Sequence, residues 1–89
     1  MISFEDCAAL CGLDEDQIDA IAEHEHVPAI EATAIASDLL SHPGGAKAIQ
    51  GMFVDLIRAA VHEHRLAHAS ELLRALRHFL NREALGEVA

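Results

Sequence analysis

The chain has 89 residues with 15 acidic and 6 basic side chains, a formal net charge of −9 with histidine neutral. That length fits one domain. The acidic balance argues against a nucleic-acid partner, because Lys and Arg supply phosphate binding. Three Phe with no Tyr or Trp leave no platform for stacking bases.

No stretch approaches the ~18–20 apolar residues of a membrane span, so no membrane partner is expected. Met1-Ile2-Ser3-Phe4-Glu5-Asp6 is acidic where a secretory leader needs a basic start. Cys7 and Cys11 are four apart, a spacing poorly suited to a disulfide within one helix. A reducing cytoplasm is the expected setting. Much of the 52% hydrophobic content is alanine, which favours closely packed helices over an aromatic core.

Periodicity is helical throughout, and no period-2 strand run appears. Ser3 and Asp6 have capping spacing for a short first helix. Phe4, Cys7, Ala8 and Cys11 fall on its one face, and Gly12 stands where a helix stop belongs. The second helix has the clearest start. Asp14 is its N-cap, Gln17 the N3 partner, and Leu13 and Ile18 a hydrophobic staple. Ile18, Ile21 and Ala22 make its inner face. It should end near His26, ahead of Pro28.

Pro28 suits the first turn of a third helix reaching about Ser41. That helix is apolar on most sides, which predicts cover from its own domain or from a second copy. His42-Pro43-Gly44-Gly45 forms a turn. A fourth helix then runs to 62–64, with Ile49, Met52, Phe53, Leu56, Ile57, Ala60 and Val61 as its stripe. Gly51 inside it predicts close approach of another helix. A fifth helix spans about 66–84, with Ala69, Leu72, Leu73, Leu76, Phe79 and Leu80 inward and Arg74, Arg77, His78 and Arg82 outward. The short junction near Arg65 predicts an antiparallel hairpin. The expected fold is therefore all-α, a compact bundle of four to five helices with a C-terminal antiparallel helical hairpin, occupying 1–89 as one domain.

The run Ala20-Ile21-Ala22-Glu23-His24-Glu25-His26-Val27-Pro28 resembles a signature of small all-helical bacterial proteins. Leu76-Arg77-His78-Phe79-Leu80 is similar to their last helix. The resemblance implies a helical bacterial protein. It implies no activity, so no functional residue is carried over.

Seven histidines stand out. Five form two clusters, His24 and His26, then His62, His64 and His68, with Glu23, Glu25 and Glu63 interleaved. Helices that alternate in direction bring these clusters to one end of the bundle. Imidazole and carboxylate are ordinary ligands for zinc and non-haem iron. Glu23 and His26 have the Glu-x-x-His step of carboxylate-bridged metal bundles, although only one such step is present, so a dimer would have to complete the site. The competing reading is a structural Glu–His pair at the bundle end, with Glu25 needing a partner if buried. A pH switch is a third, since protonating all seven would move the charge from −9 to −2. A Cys2His2 zinc site from Cys7, Cys11, His24 and His26 is a fourth.

No dinucleotide, phosphate-loop, nucleophile-elbow or His-Glu-x-x-His motif occurs. The expected role is a non-enzymatic binding or accessory module without a cofactor. It would self-associate through the third helix or Ala-rich faces and engage a protein partner. Zinc or iron binding is the alternative.

Overall fold

In a computed structural model, described for residues 13–88 with side chains to residue 82, the backbone forms four helices. These are α1 (Glu15–Glu25), α2 (Ala29–Leu40), α3 (Gly45–His62) and α4 (Leu66–Val88). The described residues contain no strand. The predicted short helix at 3–11 lies outside the described residues.

The start of α1 follows its sequence signal. The Asp14 N–H donates to Gln17 Oε1 at 3.0 Å, which satisfies an amide the first turn leaves open. Leu13 and Ile18 are both buried. The end of α1 is set by His26, in the left-handed region at φ 57°. There the Val27 N–H reaches back to Ala22 O at 3.1 Å. Pro28 serves as the N-cap of α2, one position earlier than its expected place in the first turn. The junction between α3 and α4 closes in the same way. His64 adopts φ 61°, its N–H donates to Val61 O, and the Arg65 N–H donates to Ala60 O at 2.8 Å. Both junctions satisfy orphan carbonyls with reversed helix-stop bonds normally made around glycine. A non-glycine residue there costs about 1 kcal/mol.

Packing centres on α1 and α3, each of which touches the other three helices, whereas α2 and α4 do not meet. Ile18, Ile21, Ile49, Phe53 and Phe79 are fully or almost fully buried, and the Phe53 and Phe79 rings lie 6.2 Å apart. The body measures 36 × 34 × 18 Å, about two helix diameters thick. Asp14 at the start of α1 pairs with Arg82 late in α4 at 3.4 Å. Glu23 at the end of α1 pairs with His68 early in α4. The reversed order of the two pairs shows that α1 and α4 run in opposite directions.

Three expectations are corrected. Leu73 and Leu80 were placed inward but are exposed, because the buried arc of α4 centres on Leu72, Leu76 and Phe79 and leaves its flank open. Gly51 has no close neighbour; a Cβ added there meets nothing within 4 Å. The close approach occurs at Gly45 instead, where an added Cβ would overlap the backbone carbonyl of Leu39. The first turn of α3 thus sits on the end of α2.

These two glycines predict opposite outcomes. Gly51→Ala should raise stability by about 0.5–1 kcal/mol, as helix propensity dictates. Gly45→Ala should lower it by about 1–3 kcal/mol through overpacking against backbone. Urea unfolding of both variants measures the difference in sign.

Candidate functional site

The histidine–carboxylate contacts gather around the last turns of α1. His24 is half-buried there between two acids. Its Nδ1 lies 2.7 Å from Glu25 Oε2 and its Nε2 lies 3.1 Å from Asp55 Oδ2 on α3. His68 Nε2 lies 2.8 and 3.0 Å from the two Glu23 oxygens. The end of α1 is therefore tied to α3 by one histidine and to α4 by another.

A neutral imidazole has one N–H and one lone pair, so it can donate to only one carboxylate. With an acid on each ring nitrogen, His24 is best satisfied as the cation, donating from both. Burial pushes its pKa down, but the hydrogen bonds to Glu25 and Asp55 and the two negative charges outweigh burial and leave it raised.

The remaining candidates fall elsewhere. His26 is exposed at the end of α1, and His62, Glu63 and His64 are exposed around the α3–α4 junction. Glu25, which its register placed inward, is exposed and takes its own neighbour as partner. Among the described residues, no three His, Cys, Asp or Glu side chains gather around a point where a metal ion would sit. The donors of His24, Glu25 and Asp55 face one another, and the Glu23 carboxylate is turned to His68. The expected Cys2His2 set includes Cys7 and Cys11, which lie outside the described residues.

Asp55 is the residue that sequence reading missed. It lies 31 residues along the chain from His24. Its signal was there: it is the one charged residue in the run Gly51-Met52-Phe53-Val54-Asp55-Leu56-Ile57.

Beside these pairs runs a groove of about 510 Å³ between α1 and α4, bordered by Asp16, Asp19, Glu23, His68, Glu71 and Arg74. Asp19 has its pKa raised by burial and by the nearby charge of Asp16. On another flank of α4, Leu66, Leu73 and Leu80 form a seven-residue repeat, exposed by 64%, 48% and 40%, and Val61 of α3 is 50% exposed. Arg77, four residues after Leu73 and three before Leu80, stands exposed on the same side of the helix.

Comparison with protein-family models, curated proteins and solved structures finds no match for this chain.

Two outcomes follow. A histidine whose pKa is raised on folding stabilises fully below its unfolded value, about 6.5, and loses that contribution as pH rises through the folded value. Stability should therefore fall between pH 6 and pH 8, and His24→Gln should flatten that fall, as read from urea midpoints. Tag-free protein purified without chelators should contain only substoichiometric zinc or iron by elemental mass spectrometry. A His26→Ala/His64→Ala variant should give the same value.

Proposed function

We propose that the chain is a small non-enzymatic helical interaction module that docks an acidic amphipathic helix of a protein partner along α4. The observation that supports this is the exposed line Leu66, Leu73 and Leu80. Exposed apolar patches rimmed by polar residues often mark interaction sites. The seven-residue spacing suits a helix that offers its own apolar stripe. Arg77, four residues after Leu73 and three before Leu80, supplies positive charge on the line and favours a partner with acidic flanks. The net charge of −9 weighs against nucleic acid on the same face.

Several finer features belong to this reading. A link of residues 63–65 and the contact between Phe53 and Phe79 support an antiparallel pairing of α3 with α4. Thiols at Cys7 and Cys11, badly spaced for a disulfide, support a reducing cytoplasmic setting. The histidine–carboxylate pairs act as ties between helices, and no enzymatic step is assigned to them.

The test uses a fluorescein-labelled synthetic helix with leucines on one face and glutamates on both flanks. Its anisotropy should rise saturably with added chain. Leu73→Glu should abolish the rise, and added salt should weaken it. No rise with the unaltered chain, or equal binding by Leu73→Glu, overturns the reading.

A further inference from the structure

We propose that the second proton on His24 is a removable link between α1 and α3: when it leaves, Glu25 keeps the ring and Asp55 is released, while the tie from α1 to α4 stays in place. The chain thus carries a pH-operated joint on one side of α1. The inference concerns the histidine contacts and stands apart from the docking role of the α4 line.

The joint follows from the number of protons each contact needs. His24 has an acid on each ring nitrogen, Glu25 at 2.7 Å from Nδ1 and Asp55 at 3.1 Å from Nε2. An ionised carboxylate only accepts, so both contacts are hydrogen bonds only while the ring carries two protons. A neutral ring presents a bare lone pair to one of the two carboxylates, and facing acceptors repel. His68 is placed differently. Its Nε2 meets both oxygens of one carboxylate, Glu23, at 2.8 and 3.0 Å. A single N–H serves that contact, so it survives in the neutral ring.

Position decides which acid His24 releases. Glu25 is the next residue on the same helix, so it moves with the ring, and it makes the shorter contact. Asp55 comes from α3 and its side chain is 65% exposed, so water replaces the imidazole at its oxygens with little loss. The neutral ring therefore keeps its N–H on Nδ1 and turns the Nε2 lone pair toward Asp55.

The surrounding charges leave this exchange to the three residues. Among the described residues, Glu25 and Asp55 are the acids in ion-pair contact with His24, and neither has a Lys or Arg in such contact. On α1, Glu23 is engaged by His68. On α3, Arg58 and His62 follow Asp55 and are exposed. From α2 come Glu31 and Asp38, the latter beside His42 at 4.0 Å. From α4, His68, Glu71 and Arg74 border the groove shared with Asp16, Asp19 and Glu23. The two acids hold the His24 pKa above its unfolded value, about 6.5. The joint is therefore closed below that value and opens as pH rises through the folded one.

The experiment uses the full chain with a chelator present. Ring-nitrogen magnetic resonance of nitrogen-15-labelled protein reads which nitrogen of His24 carries a proton from about pH 5.5 to about pH 8.5, a span around the histidine range. The expected neutral form is protonated on Nδ1 at His24 and on Nε2 at His68. Double-mutant cycles from urea midpoints measure the links themselves. His24→Ala with Asp55→Ala should show a coupling of about threefold in the folding equilibrium at the acid end and none at the alkaline end. Glu23→Ala with His68→Ala should keep its coupling at both ends. In an Asp55→Asn background His24 should stay coupled to position 55 at the alkaline end, because the asparagine amide donates to the bare Nε2. Position 55 is exposed, and retained helical circular dichroism shows that each variant is folded. A neutral His24 protonated on Nε2 overturns the proposal. So does a His24–Asp55 coupling that is absent at the acid end or persists at the alkaline end. Loss of the Glu23–His68 coupling at the alkaline end, or no coupling to the asparagine there, overturns it as well.

Discussion

The burial of α1 is the constraint on which the rest of the molecule depends. It is a helix of 11 residues, yet each of the other three packs against it. Its inner face carries Ile18 and Ile21, both fully buried, and Gln17, whose Nε2 has no hydrogen-bond partner among the described residues. An unpaired buried amide costs about 1–3 kcal/mol, so α1 holds both fully buried side chains and one clear debit. Because α2 and α4 do not touch, they are positioned relative to each other only through α1 and α3. Loosening α1 would therefore leave α3 as the one remaining link between the two sides of the slab.

Polar contacts fix how α1 lies on its neighbours. Apolar packing is non-directional and permits sliding, whereas Asp14 with Arg82 and Glu23 with His68 hold the two ends of α1 at set places along α4. His24 adds the crossing to α3. Exposed pairs of this kind contribute little energy individually. Their role is to choose one register among several of similar burial. The half-buried histidines thus take part in the architecture as ties between helices.

Much of the fold was legible because local signals agreed. Asp14, Gln17, Leu13 and Ile18 marked the start of α1, and Pro28 its end. The stripe of α3 was right at Ile49, Phe53 and Ala60. What failed was the flank of α4. A helical stripe read from spacing covers a broad arc, and nothing in the sequence says which edge of that arc a neighbour will cover. Leu73 and Leu80 lay on the uncovered edge. The candidate site was partly legible in the same sense. His24 and His68 met carboxylates, and the end of α1 came together with the start of α4. His26 and His64 looked like the natural ligands by position, but each fell at a backbone reversal. Asp55 was hidden because its relation to His24 depends on how two helices lie side by side, which spacing along one chain does not encode.

The reversals at His26 and His64 bear on how this sequence is free to drift. Both residues occupy a left-handed backbone that glycine and asparagine accept and β-branched residues do not. Selection there acts on the backbone angle and hardly on the imidazole. His24 and His68 are held by side-chain partners across helices, where glycine would remove the contact altogether. The histidines of this one helical end are thus of two kinds. In other chains built on this plan, the first pair should interchange with glycine or asparagine. The second pair should change only together with Asp55 or Glu23.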